Sequence, residues 1–139
     1  MWDYAGVFPL AQREVKKDSA QSEVGRRFFA IVADLSGIPS ALVAPGGSVA
    51  WRARSTVWGA TQWNRDASAF TPPRCPGQIL DPETGFHYNF NRYYDPATGR
   101  YISPDPLGLA PALTHYTYVP NPFTLWDPLG LAGCDADPP

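Results

Sequence analysis

A chain of 139 residues suits a single domain, but sixteen prolines and twelve glycines interrupt it too often for long helices. An aromatic content of 14% is more than disordered segments carry, so the expectation is an all-β, turn-dense, aromatic-packed protein. A net charge of −2 with dispersed Lys and Arg offers no basic face for nucleic acid, and no stretch has the apolar length of a membrane span.

Residues 1–10 lack the basic start, apolar run and small-residue cleavage site of a secretion signal, so any export is expected to be supplied by something else. Trp2 to Leu10 mixes strand-forming aromatics with Gly6 and Pro9 and reads as a strand followed by a bend. Residues 12–27 are the most polar stretch. Asp18 or Ser19 could cap one or two helical turns running to Gly25, and solvated coil fits equally well. Phe28-Phe29-Ala30-Ile31-Val32-Ala33 is apolar without helix caps, and Asp34, Ser36, Gly37 and Pro39 then make a turn into a second strand. Residues 40–44 lead through Pro45-Gly46-Gly47-Ser48 into 49–55, whose alternation places Val49, Trp51 and Ala53 on one face and Arg52 and Arg54 on the other. Residues 57–63 continue the aromatic strand pattern, and 64–73, ending in two prolines, read as a linker between two halves.

From Arg74 onward Asp-Pro turns set the rhythm. Asp81-Pro82-Glu83-Thr84-Gly85 and Asp95-Pro96-Ala97-Thr98-Gly99 lie fourteen residues apart, with Asp opening each turn, Pro second, and Gly85 or Gly99 where a positive φ is needed. Residues 86–90 read as a short strand, and 92–94, the second of these turns and 100–103 as one hairpin. A closer repeat follows: Asp105-Pro106-Leu107-Gly108-Leu109 returns as Asp127-Pro128-Leu129-Gly130-Leu131, with eighteen residues between the two DPLG motifs. In one reading Asp105 and Asp127 merely start proline turns, with Gly108 and Gly130 completing them. In the other they form a carboxylate pair, which can hydrolyse a peptide bond when the two groups lie close enough to share a proton. Spacing alone leaves both open.

Cys75 and Cys134 are too few and too far apart for a metal site or a disulfide framework, so reduced thiols are the default. His87 and His115 read as strand residues, and neither a metal nor another cofactor is expected. Ser48 and Ser103 have no nucleophile context. Tyr93, Tyr94, Tyr101, Tyr116 and Tyr118 could stack on sugars, although packing explains them more simply.

The run RCPGQILDPETGFHYNFNRYYDPATGRYISPDPLGL, continued by Tyr116-Thr117-Tyr118-Val119-Pro120-Asn121-Pro122 and the second DPLGL, resembles the RHS repeat-associated core domain. That domain ends the YD-repeat shell of RHS polymorphic toxins and of toxin-complex C subunits. The resemblance covers residues 74–131, and ADLSGIPSALVAPGGSVAWRARSTVWG upstream is similar to the degenerate YD-type repeats before such a core. It implies antiparallel hairpins of a spiral shell ending in an inward-turning core. Residues 1–73 would then be degenerate repeat strands and linker, 74–131 the core, and 132–139 a short tail without a toxin domain. It also implies the closing end of a toxin-encapsulating shell with a single-turnover aspartic autoprotease. Asp105 and Asp127 would be the catalytic pair, Arg92 the accompanying arginine with Arg100 the second choice, and the bond from Leu131 to Ala132 the target.

The partners so implied are the remaining YD-repeat shell segments and the C-terminal toxin domain of a longer relative, with a secreted or cell-surface location and no toxin activity in this chain. The chain departs from the family pattern in three places: Cys75 replaces the usual aromatic, Ala110-Pro111-Ala112 the usual glycine pair, and Trp126 directly precedes Asp127. Two other readings stay open: a purely structural or orphan shell fragment without activity, and a surface glycan-binding module.

Overall fold

A computed structural model describes residues 1–106 and 116–131. Among these residues there is no helix, and the strands form two antiparallel sheets. The first is a six-stranded meander in sequence order: β1 (Trp2–Ala5), β2 (Phe8–Lys17), β3 (Glu23–Ala33), β4 (Pro39–Val43), β5 (Val49–Ser55) and β6 (Thr61–Trp63). The second is four-stranded and runs β10 (Arg100–Tyr101), β9 (Arg92–Asp95), β8 (His87–Asn89), β7 (Ile79–Leu80). Because each strand pairs with its sequence neighbour, short turns do most of the connecting, and the Gly, Pro and Asp content supplies them.

The core of the first sheet is Phe29, Leu42, Ala50, Trp51 and Ala53, contributed by β3, β4 and β5. Arg52 and Arg54 face solvent, as alternation predicts. Val49 does not join Trp51 on the buried face. Leu42 pairs with Trp51 while Val43 pairs with Val49, so Ala50 is the extra residue of a bulge. The bulge turns Ala50 inward and leaves Val49 43% exposed.

The polar stretch 12–27 is neither helix nor coil. It is the end of β2, a turn, and the start of β3, paired from Ala11 with Ala30 down to Lys17 with Glu23. Asp18 does act locally, but as a hairpin residue: its Oδ1 accepts from the Ala20 and Ser22 N–H groups, and Gln21 takes φ 63°. The strands are polar because the chain covering them offers main-chain acceptors. Buried Gln12 donates to Phe70 O at 2.8 Å and accepts from Trp2 Nε1 at 2.8 Å. Arg27 pairs with Glu14 and reaches Ser68 O at 2.9 Å. Residues 64–73 are therefore no loose linker. They lie across the first sheet, with Ala67 and Ala69 packed on its core and Ser68 N bonded to Ala50 O at 2.9 Å. Residues 57–63 also depart from the predicted strand: Thr56 to Ala60 is a closed turn, and only β6 remains extended.

In the second sheet the two DPxTG turns are chemically identical. Asp81 Oδ1 accepts from Glu83 N and Oδ2 from Thr84 Oγ1, while Gly85 N bonds back to Asp81 O. Asp95 does the same with Ala97, Thr98 and Gly99, and the glycines have φ of 76° and 69°. Tyr94, Tyr101, Tyr118 and Val119 form a second buried cluster, its rings 4.8 to 5.9 Å apart. Tyr94 ties this cluster to the first sheet by donating its hydroxyl to Trp58 O at 2.6 Å. Cys75 is a buried free thiol, its pKa pushed up to about 12 mainly by burial. Gly108, His115, Ala132 and Cys134 lie outside the described residues.

Leu42 is fully buried and Leu35 is 95% exposed, so the same truncation separates core from surface. Leu42→Ala is expected to lower unfolding free energy by roughly 2–5 kcal/mol in urea titrations, and Leu35→Ala to change it by less than about 0.5 kcal/mol.

Candidate functional site

The site is built on the β8–β9 hairpin, against which the second DPLGL motif folds. Arg92 opens β9 and is buried. Its Nη2 lies 3.4 Å from Asp127 Oδ2 and 3.5 Å from Asp105 Oδ2, so both repeat aspartates converge on one guanidinium nitrogen. All three side chains are nearly inaccessible, at 1%, 1% and 3% exposure for Arg92, Asp127 and Asp105. Polar groups this deeply placed are tolerable only when partnered, which the shared cation accomplishes for both aspartates. The guanidinium also lies over the Tyr101 ring, 3.5 Å from its centroid.

Asp127 is gripped from several sides. Oδ2 accepts the Tyr101 hydroxyl at 2.7 Å, Oδ1 accepts the Leu131 N–H at 3.0 Å, and the Asp127 main-chain oxygen accepts from Asn89 Nδ2 at 2.7 Å. The same Asn89 nitrogen donates to the Tyr101 oxygen at 2.6 Å, which leaves the single Tyr101 proton for Asp127. Burial, then the Asp127 charge, pushes the Tyr101 pKa up, so the phenol stays protonated and remains a donor.

Of the residues singled out in the sequence, Asp105, Asp127 and Arg92 are brought together and Arg100 is not. Arg100 sits exposed on β10, opposite Asp95. Leu131 ends the described chain beside Asp127, and Asp81, Gly85, Asp95 and Gly99 make the two outer turns. His87 is buried on β8, its Nδ1–H donating to Gln78 Oε1 at 2.8 Å, and burial followed by the Arg74 charge lowers its pKa to about 3. It borders a cavity of about 640 Å³ shared with Trp63, Phe70 and Arg74, and none of Arg92, Asp105 or Asp127 reaches that cavity. Tyr94, Tyr101 and Tyr118 are buried and cannot stack on a sugar, whereas Tyr93 and Tyr116 are exposed. Among the described residues no three His, Cys, Asp or Glu side chains cluster as metal ligands.

Sequence reasoning missed Tyr101 and Asn89. Both sit in short strands whose polar groups look like ordinary strand decoration. The one available signal was that an Asn and a Tyr fall at inward positions of the two strands flanking the one that carries the predicted arginine.

No family model matches the chain. It is 45% identical over 105 residues to the probable deoxyribonuclease RhsB of Dickeya dadantii, covering 75% of this chain and 7% of that protein. Among solved structures it superposes on a Photorhabdus luminescens Tc holotoxin pore carrying a TccC3 substitution, with a TM-score of 0.72 and 28% identity over 93% of this chain and 6% of that one. The crystal structure of TcdB2-TccC3 without the hypervariable C-terminal region matches with a TM-score of 0.66 and 32% identity, over 76% of this chain and 5% of that chain. The chain thus spans less than a tenth of each of these proteins.

Tyr101→Phe keeps the ring under Arg92 but deletes the donor to Asp127, and is expected to cost about 1–3 kcal/mol in equilibrium unfolding. His87 gives a pH signature. Its pKa is about 3 when folded and about 6.5 when unfolded, so between those values the unfolded chain binds the extra proton. Stability should be full above about pH 6.5 and fall as the pH drops toward 3, with the slope between about pH 6.5 and 5 flattened in His87→Gln.

Proposed function

The chain belongs to the RHS family of toxin proteins and carries its repeat-associated core, and from that membership we propose that it is the closing segment of a toxin-encapsulating β-shell that cuts itself once, after Leu131. The observation that carries the proposal is the convergence of Asp105 and Asp127 on the buried Arg92 guanidinium, with the Leu131 N–H already bonded to Asp127.

The reaction is hydrolysis of the bond from Leu131 to Ala132. Two carboxyl groups in one buried pocket share a proton, one ionised and the other protonated. The ionised member takes a proton from water as its oxygen adds to the Leu131 carbonyl carbon, and the other supplies a proton to the departing amine. The C–N bond breaks, leaving a carboxylate on Leu131 and an amine on Ala132. Arg92 and the Tyr101 hydroxyl are fixed donors in a pocket closed to bulk water, where charge stabilisation is strongest. Joining substrate and catalyst in one chain supplies the positioning that a separate enzyme obtains by binding.

In this reading the chain holds no effector activity of its own; the deoxyribonuclease named for RhsB belongs to that far longer protein. The remaining partners are further YD-repeat segments of the shell and a toxin domain following the core. Export to the cell surface or beyond is part of the same proposal.

Intact-mass spectrometry of the purified chain tests the reading. The expected main species ends at Leu131, and Asp105→Asn or Asp127→Asn restores the full-length mass with at least a roughly hundredfold loss of rate. The same mixture in all three proteins would show that the aspartates do not cut.

A further inference from the structure

The main-chain carbonyls of Asp127, Leu129 and Gly130 are held by one short element, and the way they are held is selective. Three successive sites on the β8–β9 turn bind three main-chain carbonyls of the segment. Asn89 Nδ2 donates to Asp127 O at 2.7 Å; Asn91 donates to Leu129 O through Nδ2 at 2.7 Å and through its backbone N at 3.3 Å; Arg92 Nε donates to Gly130 O at 2.6 Å. The turn achieves this spacing with Phe90 at φ 52°, an uncommon conformation for a bulky residue. Gly130 adopts φ 64°, and a Cβ there would overlap the Asn89 carbonyl oxygen and lie 3.3 Å from Arg92 N. Leu129, between the two outer contacts, is 46% exposed.

We infer that the β8–β9 turn from Asn89 to Arg92 is the substrate-reading subsite of the proposed autoprotease, a clamp that recognises a polypeptide turn by its main-chain carbonyls and by the bare backbone of glycine at the second residue before the cut. The cutting role rests on cleavage after Leu131, whereas the grip does not. The chemistry selected is narrow in one respect and broad in another. Glycine is required at 130 because both the left-handed backbone and the close approach to Asn89 exclude a side chain. The side chain at 129 goes unread because it projects away from the clamp. The three clamped carbonyls all lie on the N-terminal side of the cut, so the clamp keeps the new Leu131 carboxylate beside Asp127 after cleavage. A site that keeps its product turns over once.

The test compares Asn91→Ala, Gly130→Ala and Leu129→Ser with the unmodified full chain, following loss of residues 132–139 by intact mass and amide hydrogen exchange at Leu131 and position 91 by NMR. Asn91 is exposed, so its truncation spares the core. Expected are about tenfold slower cleavage with faster amide exchange in Asn91→Ala, more than about a hundredfold slower cleavage in Gly130→Ala, and cleavage within about twofold of the original in Leu129→Ser. Unchanged cleavage and exchange in Asn91→Ala, or a loss in Leu129→Ser as large as in Gly130→Ala, would overturn the clamp. Should the unmodified chain stay whole, autoproteolysis fails as a reading, and faster exchange in Asn91→Ala would still uphold the grip while unchanged exchange would overturn it.

Discussion

One buried guanidinium organises the second half of this protein. Arg92 faces Asp105 and Asp127 through a single nitrogen and holds Gly130 O with another. Burying a guanidinium and two carboxyl groups is costly, and they stay together because the guanidinium pairs with both aspartates. Taking Arg92 away would leave two carboxyl groups buried without their cation, a far worse state than the solvated alternative. The fold therefore depends on this contact as much as any reaction does. The two ends of the chain segment between the aspartates are drawn to one place by the same ion.

The surrounding structure makes that arrangement rigid. The Tyr94, Tyr101 and Tyr118 cluster supplies an apolar wall, and Tyr101 contributes both a ring for the guanidinium and a proton for Asp127. Tyr94 anchors the wall to the first sheet through Trp58, while Phe8 at the start of β2 meets the Trp126 ring edge-on at 5.2 Å just before Asp127. Cooperation between the sheets thus fixes the second DPLGL motif from both flanks. Asp127 is at once a turn residue, an ion-pair member and an acceptor for the Leu131 N–H, so starting a proline turn does not keep its carboxylate from reaching Arg92.

How much of this was legible depended on the range of the interactions involved. The DPxTG turns were readable because Asp81 and Asp95 bond to groups within four residues, and that chemistry is written in the local sequence. The pairing of Asp105 with Asp127 was not, since two proline turns carry no information about whether they meet; only the family resemblance pointed to it. The polar stretch 12–27 misled because strand prediction looks for alternate apolar residues. Here the inward positions Gln12 and Glu14 bond to, or pair beside, a covering chain at 68–70, so polarity serves as packing. Val49 misled for a different reason: one extra residue in a strand inverts every face assignment before it, and nothing in the residues 49–51 announces the bulge. Asn89 and Tyr101 carried only a faint signal as site residues because their role exists only once the second motif has folded onto the hairpin.

The most direct measurement is cleavage in heavy-oxygen water followed by mass analysis of both fragments. Hydrolysis at this site places one solvent oxygen on the carboxylate of Leu131 and none on the fragment beginning at Ala132, with Asp127→Asn abolishing the label. Label on Asp105 or Asp127, the mark of simple Asp-Pro scission, or label that persists in Asp127→Asn, would contradict the account.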